Sequence, residues 1–436
     1  MRRSIVLLLA FALWVPWVPL QAQDLLAVYD LALKNDPKLR EAERRRDSVK
    51  ERRVQARALL LPNIGLSGSA ERIDRDNHSR PDDNYGQNTL ALNLKQPLYH
   101  RDYWLQLEQA DSAIAQAEAE YAAARLDLML RTATAYFNVL GAQDDLKFRT
   151  AEREATGRQL EQAKQRYDVG LIAITDVHEA QAAHDGARAN EIQAQTQLDN
   201  AWEELREIIG NTDVPLARLG EHMALTLPDP QDIDKWAEMA LKQNYAIVAA
   251  AASVDALKKD IEIKRSGHYP TLDLVGAYSA FRSSSDSAFS GDNDTTNLGL
   301  QLNLPLYAGG AVTSKTRQAR FDYQAAQEAL DQQRRAVNRQ VRDAYRGVLS
   351  NISRVKALKA ATLSAESALE STQAGFDVGT RTMVDVLNVQ RNLFEARAKY
   401  ARSRYDYILN ALRLRQAASL LGREDLERVN AWLEDK

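Results

Sequence analysis

Tyr167–Val177 reads YDVGLIAITDV, and Phe376–Val386 reads FDVGTRTMVDV. Their aspartates, Asp168/Asp377 and Asp176/Asp385, stand 209 residues apart. Working outward, Pro62 in LLLPNIGLSGSA matches Pro270 in GHYPTLDLVGAYS, and Pro97-Leu98-Tyr99 matches Pro305-Leu306-Tyr307, each pair at a separation of 208 residues. So constant an offset means one structural unit written twice. The first copy is expected over residues 23–215 and the second over 233–436, with 216–232, where LPDP falls, as the linker. The period is far longer than that of a solenoid, so this is a duplication and not an array.

Within each copy the periodicity alternates between helix and strand. No proline occurs from Leu98 to Val214 or from Leu306 to the C-terminus, and both runs are rich in Ala, Gln, Glu and Arg. Leu126, Leu130, Ala133, Phe137 and Leu140 recur at helical spacing. Arg101 to Tyr167 is expected to form one helix of roughly 100 Å at 1.5 Å per residue, with Ala311 to Phe376 as its twin. Lys38 to Leu61 and Asp176 to Ile209 are the shorter helical pieces. Helices so long need lateral neighbours along their whole length.

The strands alternate strictly. Leu298, Leu300, Leu302, Leu304 and Leu306 share one face, against Asn297, Gly299, Gln301 and Asn303. Leu90, Leu92 and Leu94 repeat this, as do Ile64 with Leu66 and Leu272 with Leu274. Each run of about 9–11 residues is the length that crosses an outer membrane when tilted. A strand packed on a soluble core would alternate in the same way. Two features favour the membrane. Polar segments, Asp74 to Asn88 and Arg282 to Thr296, join the paired strands as exposed loops, and Tyr99, Tyr103, Trp104 and Tyr307 gather where the strands end, as in an interfacial girdle. Pro62, Pro97, Pro270 and Pro305 mark the turns between strand and helix.

The N-terminus reads as an export signal, residues 1–22: Arg2 and Arg3, the apolar run Ile5 to Leu13, and Ala22 as cleavage point. No later stretch of 18 apolar residues follows, so any bilayer crossing falls to strands. The chain has no cysteine, which rules out disulfide staples and a lipidated N-terminal cysteine. The formal net charge of -3 argues against a nucleic-acid partner. Arg44, Arg45, Arg46, Arg52 and Arg53 alternate with Glu41, Glu43 and Glu51 as a solvated helix face. Four strands cannot close a barrel, and an open edge in lipid leaves backbone groups unsatisfied. Two, three or four chains would supply eight, twelve or sixteen strands, and physics does not choose among them.

The doubled order of helix, proline, strand, loop, strand, Pro-Leu-Tyr, long helix and DVG tip resembles the outer-membrane efflux protein (TolC) family over essentially the whole mature chain. The resemblance implies a mainly α fold with a small β part. It implies a homotrimer whose twelve-stranded transmembrane barrel, four strands per chain, continues into a long periplasmic α-helical barrel. It places the chain in the outer membrane, surrounded by lipid, as the exit duct of a tripartite efflux or type I secretion system. Its partners would be a periplasmic adaptor (membrane fusion) protein and an inner-membrane pump of RND or ABC type.

The tips are where such a duct is gated. Gly170 and Gly379 suit left-handed helix ends, and Thr175 or Asp176, and Thr382 or Asp385, suit caps of the returning helices. The resemblance makes Arg381 the arginine of a polar link and Asp176 its carboxylate partner, with Thr175 a further acceptor. The family tyrosine is Phe376 here, so its hydroxyl link is absent or moved to Tyr167. Asp385 matches one of two aspartates ringing the constriction, and Asn388 stands at the other. A single acidic ring attracts cations less than two would.

Two rival readings are weaker. As an enzyme, the chain offers HEAQAAH, but His178 and His184 are six apart where zinc needs i,i+4. Ser353-x-x-Lys356 is an isolated match, and no phosphate loop or dinucleotide fingerprint calls for a cofactor. A periplasmic coiled-coil scaffold or adaptor without a pore would suit the helices, but not the leucine-faced strands.

Overall fold

The computed structural model describes residues 23–75, 83–211, 215–284 and 291–434. The expected signal segment, 1–22, lies outside them. In the first copy, α1 (Leu25–Asn35) and α2 (Pro37–Ala58) precede β1 (Asn63–Arg75) and β2 (Asp83–Tyr99). The helices α3 (Arg101–Asp168) and α4 (Ile174–Ile209) follow, then a short β3 (Arg218–Leu219). The second copy runs α5 (Ile233–Gln243), α6 (Tyr245–Arg265), β4 (Thr271–Ser283), β5 (Asn293–Asn303), α7 (Ala311–Asp377) and α8 (Met383–Ala417). It closes with α9 (Arg423–Asn430) and β6 (Leu433–Glu434).

The two long helices have 68 and 67 residues, so α3 spans about 100 Å. Their shorter partners pack along them in succession: α2 then α4 beside α3, and α6 then α8 beside α7, while α3 also touches α6 and α8. The break between α1 and α2 is set by Asp36. Its carboxylate accepts from Leu39 N at 2.7 Å, Pro37 occupies the first turn, and Arg131 of α3 grips the same carboxylate at 3.1 and 2.9 Å.

The main core lies at mid-helix. Leu128, Tyr136 and Phe137 of α3, Val337 and Val341 of α7, and Tyr407 and Ile408 of α8 are buried there, with α1, α5 and α9 packed over them. Residues 216–232 are folded into this region. Ala217 is buried and accepts a hydrogen bond from the Tyr136 hydroxyl at 2.7 Å, β3 pairs with β6, and Tyr407 accepts from Thr226 N at 2.8 Å.

The main sheet is antiparallel throughout, in the order β1-β2-β4-β5. Register puts Ile64, Leu94, Gly276 and Leu298 in one row, and Leu66, Leu92, Tyr278 and Thr296 in the next. The leucines therefore form a single face, and it is bare: Leu66 is 69% exposed, Leu298 75% and Leu300 67%. The opposite face carries a concave hollow of about 440 Å³ in which Asn63, Asn93, Lys95 and Asn297 alternate with small and apolar residues such as Gly65, Val275 and Ala277. Among the described residues, neither β1 nor β5 has a strand on its outer side.

Two details differ from the sequence reading. The strands have 13, 17, 13 and 11 residues, because pairing continues through polar stretches assigned to loops; Asp74 still faces Asn84, and Ala280 faces Asp294. Polarity there reports solvent around the side chains, not a broken backbone ladder. Pro97 is not a turn: it lies inside β2 at a register shift against β4, between Pro97 and Tyr99, where a missing N–H is tolerated. Pro62, Pro270 and Pro305 do lie just outside strands.

Candidate functional site

The far ends of the two helix hairpins, α3–α4 and α7–α8, are built alike. Leu171 N bonds Arg166 O at 2.9 Å and Gly170 N bonds Tyr167 O at 2.8 Å; in the second tip, Thr380 N bonds Gly375 O at 2.8 Å and Gly379 N bonds Phe376 O at 3.0 Å. Both are Schellman endings, with Gly170 at φ 76° and Gly379 at φ 80°, where a side chain would be strained. Gly375, in the last turns of α7, is glycine for another reason: a Cβ there would meet Arg381 Cγ at 2.8 Å.

The returning helices start differently. Thr382 caps α8 in a full capping box: its hydroxyl accepts from Asp385 N at 3.2 Å, and Asp385 Oδ2 accepts from Thr382 N at 3.0 Å and from the Thr382 hydroxyl at 2.9 Å. These bonds hold the Asp385 carboxyl below the usual carboxylate range, with a smaller contribution from the charge of Arg381. In α4 the cap position is Ala173, which supplies no side-chain bond. Thr175 and Asp176 thus do not cap, contrary to the spacing-based expectation. They sit in the first turn, where a carboxylate still favours the helix dipole.

A small apolar cluster, Leu160, Ala163, Ala180 and Met383, packed by Ile172, Val177, Phe376 and Leu387, binds the four helix ends together. It is separate from the main core. Between the two lies a polar belt. Glu152 is buried and ion-paired with Arg149 at 3.1 Å, Gln159 donates to Gln373 Oε1 at 3.4 Å, and Gln390 is buried. The buried Oε1 atoms of Gln159 and Gln390 have no protein donor among the described residues. A tip with its own small core beyond a polar belt can move with little disturbance of the rest.

The single chain does not bring Arg381 and Asp176 together. Among the described residues, neither side chain makes a hydrogen bond or ion pair, and the Thr175 and Tyr167 hydroxyls are likewise unbonded. The tie within the chain is another one. Arg166, at the end of α3, reaches Asp377 Oδ1 at 3.3 Å, and its guanidinium lies 4.8 Å over the Phe376 ring. The sequence reading did not name this arginine; its signal was a cation next to Tyr167 opposite an aromatic–acid pair in the twin tip. Asn388 is exposed, and its Oδ1 accepts from Arg391 at 3.1 Å.

A four-stranded sheet with a bare leucine face, running into helices about 100 Å long that end in glycine-capped tips, defines an outer-membrane channel with a periplasmic tunnel. The chain belongs to the outer membrane efflux protein family, whose model matches residues 28–211 and again residues 236–419. It is 40% identical over 437 residues to outer membrane protein TolC of Vibrio cholerae serotype O1, covering 100% of this chain and 99% of that one. It is 30% identical to the proteases secretion protein PrtF of Dickeya chrysanthemi, covering 100% and 96% respectively. Its fold is similar to that of the CmeC outer membrane channel of Campylobacter jejuni, with a TM-score of 0.78 at 17% identity over 94% of this chain and 90% of that one. This is a channel protein of the outer membrane and not an enzyme.

Proposed function

We propose that three copies close their sheets into one twelve-stranded barrel and their helices into one tunnel, which serves efflux or type I secretion as its exit duct. The open sheet carries this reading: its leucine face wants lipid, and its two free edges want strands from sister chains. The concave face, with Asn63, Asn93, Lys95 and Asn297, then lines the water-filled bore. Energy comes through a periplasmic adaptor from an inner-membrane pump, since the chain carries no nucleotide-binding fingerprint. The test is membrane retention with size: the protein should stay with alkaline-washed outer membranes and run in detergent at three times the chain mass. A stable monomer in detergent-free buffer would end the proposal.

The gate lies at the tips. Arg381 and Asp176, unpaired among the described residues of one chain, would link neighbouring chains, with Thr175 a further acceptor and Tyr167 and Phe376 at the ends of the long helices. Such exposed links contribute about 1 kcal/mol or less each, weak enough for a docking partner to release. R381D and D176R should each raise channel conductance, and the charge-swapped double variant should return it toward the parent value. Asp385 forms the acidic ring of the constriction, with the amide Asn388 at the next level.

A further inference from the structure

One turn beyond Asn388 on α8 stands Arg391, exposed to solvent. Its Nη2 donates to Asn388 Oδ1 at 3.1 Å, the one hydrogen bond it makes among the described residues. Among the described residues no carboxylate lies within ion-pair distance of it: Glu395, a turn further along α8, feels its charge but is ion-paired with Lys399 at 2.6 Å. Asn388 and Arg391 line a groove of about 430 Å³ between α3, α4 and α8, together with Glu179 and Glu152. Glu152 is buried and neutralised by Arg149 at 3.1 Å. Among the described residues, the formal charges on the groove wall without an ion-pair partner are therefore Glu179 and Arg391.

We infer that Arg391 sets the charge selectivity of the periplasmic entrance: its guanidinium, folded back onto Asn388, stands as a cationic ring directly behind the acidic ring of Asp385. This rests on the reading of Asp385 and Asn388 as the constriction. Asp385 and Asn388 are three residues apart, about 4.5 Å along the helix. That is less than the Debye length of about 8 Å at physiological salt, so a passing ion meets both signs together. Counting only the ring carboxylate Asp385 and the groove-wall charges Glu179 and Arg391, with the Arg381 and Asp176 charges of the gate left aside, each chain contributes −2 and +1, or −3 for three chains. Asn388 is thus more than a missing acid. Its amide oxygen anchors a cation, and the entrance becomes a layered acid–base collar that admits amphoteric cargo and holds multivalent cations poorly.

Single-channel recording in planar bilayers tests this, with reversal potentials in a KCl gradient and lanthanum as the blocking ion. R391Q takes the three-chain total from −3 to −6. It should raise the K⁺/Cl⁻ permeability ratio and lower the half-blocking lanthanum concentration by at least about tenfold. R391K, which keeps the charge, should stay within about twofold of the parent. N388D, which pairs with Arg391 and cancels it, should shift both readouts in the same direction as R391Q, so a failure of R391Q to assemble does not remove the test. D385N should move block the opposite way. If D385N alters nothing, the constriction reading fails; if D385N acts while R391Q and N388D keep parental selectivity, the role of Arg391 is overturned.

Discussion

Replacing Arg166 by Gln removes the one charged tie found, among the described residues, between the two hairpin tips of a chain. Arg166 loses its contact with Asp377, 3.3 Å away, and its stacking over Phe376 at 4.8 Å. The side chains are 37% and 54% exposed, so solvent screening limits the ion pair to about 0.5 kcal/mol. The exposed cation–π contact adds about 0.5–1 kcal/mol. Each chain thus loses roughly 1 kcal/mol. If the three chains open together, the losses add to about 3 kcal/mol, a shift of roughly a hundredfold toward the open state. Single-channel recording would show this as longer dwell at high conductance in R166Q, whereas a small perturbation confined to one chain would give only about fivefold. F376L and D377N should each reproduce part of the effect. Adding D377N to R166Q should change nothing further, because the pair is already broken. Parental gating in R166Q, or full additivity of R166Q with D377N, would show that each chain's hairpins move as one body and that the clasp does not oppose opening.

Three further outcomes follow from the same geometry. Asp36→Ala removes both the cap of α2 and the bidentate partner of Arg131, and should lower stability by about 3 kcal/mol, seen as an earlier onset of helix loss by circular dichroism. Leu298→Lys on the lipid face should cost about 2–4 kcal/mol and reduce assembled protein in the outer membrane, while Asn297→Lys on the concave face should assemble normally. The Asp385 carboxyl is held below its usual range, so its capping and its ring charge are fully present above the ordinary carboxylate pKa and fade only as pH falls through the depressed value. Cation block at the tip should therefore persist at pH 5 and decline only in stronger acid, and loss of block near pH 6 would point to a histidine instead.

Much of this molecule was legible without coordinates because its signals are local or repeated. The 208-residue offset, the proline-free runs and the leucine alternation are properties of the chain itself, and the ends expected for α3 and α7 fall within a residue of those observed. Alternation dictates which face is apolar, because side chains in a strand point to opposite sides in turn. The left-handed glycines and the Thr382–Asp385 box were readable for the same reason, since their partners lie three or four residues away.

What pairs across the fold was decided by tertiary structure alone. That β2 sits against β4, joining the copies into one sheet, depends on backbone bonds between residues nearly two hundred apart. The reach of the strands into polar sequence, the bulge at Pro97, the clasp of Arg166 on Phe376 and Asp377, and the packing of 216–232 against Tyr136 and Tyr407 are likewise long-range. Residue type names the possible partners of a side chain, but only the folded path of the backbone brings one of them within reach.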